Sequence, residues 1–257
     1  MFSWRSPKLL PLIVAHRGSS AIAPENTLAA FHHAMTDGAD AIELDVHLSK
    51  DHEVVVIHDD RLERTTNGSG KVRDRTLEDL KKLSAGLWFH KRFSSEKIPT
   101  LGEVLDLVEG KLGINIEVKV ERSPDRRLDI VKRCLDVIHE YRASRFVMIS
   151  SFHHPAVRQV NLHDPNIATG VLYHPLRNFR RSARALVAAS HADFFIANKS
   201  AIRKRMVEEV HKSGFRAGAY SINTRKSLER MQNMNVDCIF SDNPAVVLAL
   251  LHRERGG

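Results

Sequence analysis

The 257-residue sequence predicts an α/β protein, a (β/α)8 TIM barrel with an antiparallel hairpin extension of its second strand and a small insertion at about 59–99. Three observations predict it. Short β-branched runs alternate with amphipathic segments from end to end, an order that builds a parallel sheet. One pair of runs is joined too closely for a parallel crossover and must form a hairpin. Discounting the returning arm of that hairpin leaves eight parallel strands, the number that closes such a barrel.

The first run, LIVAH at 12–16, lies within MFSWRSPKLLPLIVAHRG. Arg5 and Lys8 before an apolar run give it a superficial likeness to an export signal. The run is short, Pro11 breaks it, and it passes into AHRG without a small-residue cleavage site, so it reads as the first core strand. ENTLAAFHHAMTDG follows as a helix closed by Gly38, since glycine suits the left-handed residue at a helix end. AIELDV at 41–46 and VVVIH at 54–58, joined through Ser49, Lys50, Asp51 and His52, form the hairpin. Residues 59–99 then break the rhythm with turn-rich sequence around one helical pattern, TLEDLKKL, and read as a subdomain or lid over the strand ends. Within it, NGSG at 67–70 lacks the Lys and Ser/Thr of a nucleotide loop and is a turn. The remaining strands are GINIEV at 113–118, FVMISS at 146–151, ATGVLY at 168–173, DFFIAN at 193–198, AGAYSI at 217–222 and DCIFS at 237–241. Among them, RRLDIVKRCLDVIHEY and KRMVEEVHKSG, ending at Gly214, carry helical periodicity. Residues 1–257 are expected to form a single domain that includes the insertion.

Composition narrows the function classes. The chain is 42% hydrophobic and 27% charged, ordinary for a soluble globular protein, and no apolar run reaches the roughly 18 residues that span a bilayer. Its net charge of +8 favours anionic partners. RNFRRSAR at 177–184 and RKR at 203–205 contribute to it; both are equally explained as solvated helix faces, and a weak contact with an anionic membrane surface is the most they imply. Without an aromatic-interleaved basic platform or a reading module, nucleic acid is not an expected partner. Cys134 and Cys238 lie in segments that read as buried, which points to a reducing, cytoplasmic setting with no disulfide framework.

The chemistry starts where the strands break the apolar rule. Side chains alternate along a strand, so Glu43, Asp45 and His47 share one face while Ile42, Leu44 and Val46 share the other. In NIEVK, Asn115, Glu117 and Lys119 oppose Ile114, Ile116 and Val118 in the same way. Two strands therefore aim carboxylates at a common interior, where an unpaired charge costs several kcal/mol, roughly. His16 and Arg17 end the first strand, and His58 ends the arm returning from the hairpin, at the carboxyl ends where a barrel keeps its chemistry. Glu43, Asp45 and Glu117 make an oxygen-rich site suited to a hard divalent cation, Mg²⁺ or Ca²⁺. Arg17 and Lys119 add the fixed positive charge that stabilises the non-bridging oxygens of a phosphoester, and two histidines supply a general acid and a general base.

Blander explanations exist for each part. A lone His16 is more often a satisfied core or loop residue, and a buried ion pair with Arg17 or Lys119 explains Glu43 and Asp45 without metal. Their joint occurrence at predicted strand ends favours a site. His32, His33, His47, His52, His153 and His154 lack such convergence and read as surface or packing residues. Glu25 and Asn26 read as the start of a helix near the first strand end, where free amides can hold an anion, and a plain helix-start role serves equally.

The ordered set AHRGSSAIAPENTLAAF, ELDVHLSKDHEVVVIHDDRLERTTNGSG, IPTLGEVL, NIEVK and SDNP resembles the glycerophosphodiester phosphodiesterase family in its small bacterial cytosolic form. The resemblance covers nearly the whole chain and is most specific from 13 to 119. It implies metal-dependent hydrolysis of deacylated phospholipids, such as glycerophosphocholine and glycerophosphoethanolamine, to sn-glycerol 3-phosphate and the free alcohol. By matching motif it implies His16 and His58 as catalytic residues, Glu43, Asp45 and Glu117 as metal ligands, and Arg17 and Lys119 as phosphate contacts. Phe152 and Tyr220 correspond to positions where such enzymes line the pocket with aromatics; the family often carries tryptophan near the latter, so Tyr220 bears on the shape of the alcohol pocket. The nucleophile is water or the neighbouring glycerol hydroxyl acting through a cyclic phosphate. Rival readings are a lysophospholipase D or phosphatidylinositol-type phosphodiesterase on the same barrel, which needs an apolar rim, and a non-catalytic phosphate-binding module, against which the intact histidines and carboxylates argue.

Overall fold

The fold is that of a computed structural model, which describes residues 2–6, 11–120 and 128–253. Lys8, Leu9 and Leu10 of the apolar start, and Arg126 and Arg127 of the helical pattern, lie outside the described residues. The strands are β1 (Leu12–His16), β2 (Ala41–Leu48), β3 (Val54–Val56), β4 (Gly113–Val118), β5 (Val147–Ser151), β6 (Ala168–Tyr173), β7 (Phe194–Asn198), β8 (Arg216–Tyr220) and β9 (Cys238–Ser241). All except β3 pair in parallel with their neighbours, in the order β1-β9-β8-β7-β6-β5-β4-β2, and a β1–β2 pairing closes the ring. β3 returns antiparallel along the last residues of β2. The barrel and its hairpin extension are thus as the sequence predicts.

The connecting helices are α1 (Leu28–Thr36), α2 (Leu77–Lys82), α3 (Leu101–Val108), α4 (Asp129–Glu140), α5 (His154–His163), α6 (Pro175–Asn178), α7 (Ala183–Ser190), α8 (Lys204–His211), α9 (Arg225–Gln232) and α10 (Pro244–Arg253). Local chemistry sets their ends. Thr100 and Glu103 form a reciprocal capping box at the start of α3, and glycines with positive φ, Gly38 and Gly214, follow α1 and α8. α2 is the helix expected within the insertion, opened by Thr76.

Two faces of each strand do different work. Ile42, Leu44, Val46, Ile114, Ile116 and Val118 point outward and pack beneath α1, α3 and α4. The inward side chains Leu12, Val14, Ala41, Met148, Phe194, Ile196 and Phe240 fill the lower barrel. Trp4 plugs its amino end, 1% exposed, edge-on to Phe194 at 6.0 Å, with Nε1 donating to the Phe146 carbonyl at 2.9 Å. Apolar filling below leaves the polar residues to the upper layer, at the carboxyl ends.

Three expectations shift. β3 stops at Val56, so His58 lies beyond the strand and not at its end. β2 runs on to Leu48 and carries His47, 8% exposed, into the interior, where its bond to the His58 carbonyl makes it a packing residue and not a surface one. Glu25 and Asn26 precede α1 instead of starting it: Thr27 is the cap, and Asn26 has a left-handed φ of +57°.

Candidate active site

Parallel register assembles the upper layer. His16 stands beside Glu43, Glu43 beside Asn115, and Asp45 beside Glu117 across β1, β2 and β4. Glu43 is 3% and Asp45 1% exposed, and an oxygen from each of Glu43, Asp45 and Glu117 lies within 4.8 Å of the others. Lys119 Nζ is 2.8 Å from Asp45 Oδ1 and also contacts Glu117. Arg17 Nε is 3.4 Å from Asp45 Oδ2. The structure thus brings the three predicted carboxylates and both predicted cations together.

The turn after β1 is built to aim Arg17. Arg17 takes a φ of +57° and Gly18 one of +79°, where a Cβ would stand 2.6 Å from the Ala30 carbonyl carbon, so glycine is required. In this turn the Arg17 amide donates to Glu43 at 2.9 Å, and its guanidinium donates to Glu25 at 2.9 Å. Asn26 then clamps Asp45, its side-chain amide donating to Oδ2 at 2.9 Å and its Oδ1 accepting the Asp45 amide at 3.2 Å.

Both predicted histidines are oriented through Nδ1. That atom of His16 lies 2.7 Å from Asp242 Oδ1, and that of His58 lies 2.6 Å from Asp59 Oδ1. A donating Nδ1 leaves Nε2 as the nitrogen for proton transfer, and His16 Nε2 is directed towards Glu43 at 3.9 Å. Asp242 is fixed in turn by Asn223, whose Oδ1 accepts the Asp242 amide at 2.9 Å. His47 Nε2 donates to the His58 carbonyl at 3.1 Å. Arg64 of the insertion grips Asp59 at 2.6 Å and both oxygens of Glu25 at 2.8 Å, so one guanidinium links the carboxylate behind His58 to the one behind Arg17. Tyr220 stacks on His16 with ring centroids 6.3 Å apart, whereas Phe152 borders the interior beside His174 at 6.4 Å.

Electrostatics match this layout. Burial and the neighbouring charge of Asp45 push the Glu43 carboxyl up to about 8. Asp45 is pulled well below the carboxylate range: burial opposes this, but Lys119 and Arg17 outweigh it. Burial lowers the basicity of His16, and the bond to Asp242 with the charge of Glu43 more than restores it, for a net rise. Burial, with the charge of Glu117, pushes the Tyr220 hydroxyl up to about 12. Asp45 Oδ1 is buried with only the Lys119 ammonium beside it, and Glu43, buried among other acids, has its carboxyl raised. A trio of oxygen donors in that condition fits a hard divalent cation.

Asp242, Asp59, Glu25, Arg64, Asn26 and His47 are site residues that sequence reasoning did not assign. Asp242 and Asp59 had a signal: SDNP and IHDD place a carboxylate at a strand end or directly after a histidine.

Known proteins resemble the chain over nearly its whole length. Residues 16–246 match the model of the glycerophosphoryl diester phosphodiesterase family. A glycerophosphodiester phosphodiesterase of Caldanaerobacter subterraneus is 39% identical over 247 residues, covering 94% of this chain and 98% of that protein. One from Bacillus altitudinis is 34% identical over 251 residues, covering 90% and 94%. Among solved structures, an Oleispira antarctica phosphodiesterase in complex with the product sn-glycerol-3-phosphate superposes with a TM-score of 0.87 at 30% identity, covering 95% of this chain and 97% of that one. With its fold, its upper-layer carboxylates and this span of similarity, the chain belongs to the glycerophosphoryl diester phosphodiesterase family.

Proposed function

We propose that the chain hydrolyses glycerophosphodiesters such as glycerophosphocholine or glycerophosphoethanolamine to sn-glycerol 3-phosphate and the free alcohol, in the cytoplasm and as one domain, with a divalent cation and a pair of histidines. The observation that carries this reading is the meeting of two His–Asp pairs with three carboxylates and two cations at one end of the barrel. Glu43, Asp45 and Glu117 would hold the cation, Mg²⁺ or Ca²⁺, which when bound supplies Lewis-acid polarisation of phosphoryl oxygens. Arg17 and Lys119 bind the remaining non-bridging oxygens. Of His16 and His58, one takes the proton at Nε2 from the nucleophile, water or the neighbouring glycerol hydroxyl whose cyclic phosphate water then opens, and the other gives one to the leaving alkoxide, while Asp242 and Asp59 hold the rings in register and stabilise each imidazolium. Tyr220, against His16, and Phe152 shape the pocket for the alcohol.

The deciding experiment is release of sn-glycerol 3-phosphate from glycerophosphocholine by purified, chelator-stripped protein, with and without added Mg²⁺ or Ca²⁺. Release that returns with the cation is expected. Release untouched by chelation would remove the metal from the reading, and no release with either cation from folded protein would move the substrate elsewhere.

A further inference from the structure

Two outcrops at the barrel mouth combine exposed apolar side chains with cations. The first follows β6, where Leu176 is 81% and Phe179 71% exposed. Two large apolar side chains so open contribute little to the core. Arg177, Arg180 and Arg181 are interleaved with them and exposed, and Arg180 lies 5.4 Å over the Phe179 ring. No Asp or Glu occurs between Asp164 and Asp193, so the local sequence offers these arginines no counter-charge.

The second outcrop joins the loop after β1 to the insertion. Ile22 is 37%, Leu87 48% and Trp88 41% exposed. Arg92 ties the two segments by donating to the Ile22 carbonyl at 3.3 Å and stacks 4.6 Å over Phe93, and Lys91 beside it is exposed. Around the closed ring, β1 and β6 are four strands apart in either direction. The loops that follow them at the carboxyl ends therefore stand on opposite sides of the mouth.

We infer that this rim docks the barrel mouth-first on an anionic lipid surface, with Leu176 and Phe179 on one side and Leu87 and Trp88 on the other entering the headgroup layer while the arginines meet lipid phosphates. Charge complementarity selects the occupant. A two-fold contact with a second copy would set the cationic outcrops against each other, whereas an anionic leaflet neutralises them. The inference rests on the rim and not on the catalytic reading.

The test is co-sedimentation with vesicles of phosphatidylcholine alone or with phosphatidylglycerol added, at low and high salt. Trp88 emission is a second readout, because Trp4, the other tryptophan, is buried. Sedimentation with the anionic vesicles alone, reversed by salt and accompanied by a blue shift of Trp88, is expected. Each arginine near an anionic surface strengthens binding about fivefold, so Arg177→Gln/Arg180→Gln/Arg181→Gln should weaken it on the order of a hundredfold. Leu176→Ser/Phe179→Ser should weaken it by about tenfold or more. Neither variant touches the catalytic machinery, so hydrolysis of water-soluble diester stays as in the parent. Equal binding to neutral vesicles, no shift of Trp88, unchanged binding by both variants, or self-association that the variants abolish would each overturn the inference. Vesicle binding by a protein without diester hydrolysis would leave it standing and remove only the proposed activity.

Discussion

His16 and His58 share one local design: Nδ1 meets a carboxylate at 2.7 and 2.6 Å, respectively, and Nε2 is left for proton transfer. If both rings move protons, His16→Ala and His58→Ala should each lower kcat by about 10²–10⁴ while the far-ultraviolet circular dichroism stays unchanged, and near-normal turnover in either would release that residue from the mechanism. Asp242→Asn keeps the shape but frees the His16 tautomer; a loss of about tenfold to a hundredfold in kcat with little change in KM is expected, and a pure KM effect would assign Asp242 to binding instead. The carboxylates and His16 are legible because strand alternation and the end of β1 are local patterns, whereas His58 is found only from its place after the VVVI run, two residues beyond β3. Asp242 is a different case, since it stands 226 residues from His16 and reaches it only because β9 closes the ring beside β1. His47 is legible by alternation on the face of Glu43 and Asp45, but its partner is not, because the bond to the His58 carbonyl forms only when β3 folds back along β2.

Two connecting segments carry most of the positioning. The turn after β1 depends on Gly18, whose φ of +79° and 2.6 Å approach to Ala30 leave no room for a methyl group. Gly18→Ala should destabilise by about 2–4 kcal/mol in urea unfolding, and a cost under about 0.5 kcal/mol would mean that the turn rearranges freely. The opening of the insertion depends on Arg64. Burial raises the Asp59 carboxyl, but the bonds to Arg64 and His58 win and take it from 3.8 to about 2; Glu25 is likewise lowered against burial by Arg64 and Arg17. A depressed carboxyl contributes stability that is present above its unfolded value and lost as pH falls through its folded one. Because Arg64 is partly solvated, Arg64→Gln should cost only about 1 kcal/mol at pH 7, and the difference should vanish between about pH 4 and pH 2. A difference that persists in acid would place the role of Arg64 in packing. Strand order and hairpin were readable from periodicity, whereas the turn-rich insertion has no period, so its grip on Glu25 and Asp59 emerges only in three dimensions.

At the scale of the molecule, a chain with net charge +8 concentrates buried negative charge at one end of its barrel. Lys119 and Arg17 serve Asp45 first, and Glu43, flanked by other acids, is pushed up to about 8 by burial and by Asp45. The folded carboxyl thus lies above its unfolded value of 4.5. A raised group contributes stability that is full below the unfolded value and lost as pH rises through the folded one, so the metal-free protein should lose stability between about pH 4.5 and pH 8. A divalent cation competes with that proton. Its apparent affinity should therefore climb with pH, by up to about tenfold per unit, and level off above about pH 8. At a cation concentration about a hundred times Kd the stabilisation should reach about 2.7 kcal/mol. Thermal unfolding of chelator-stripped protein at pH 6 and pH 8.5, with and without Mg²⁺ or Ca²⁺, measures both effects without any reliance on turnover. Glu43→Gln should flatten the pH dependence and remove most of the cation's increment, since an amide neither titrates in this range nor balances the charge of an ion. An increment that is the same at both pH values and survives this substitution would mean that the cation binds outside the carboxylate trio, leaving Lys119 and Arg17 as the compensation for its buried charge.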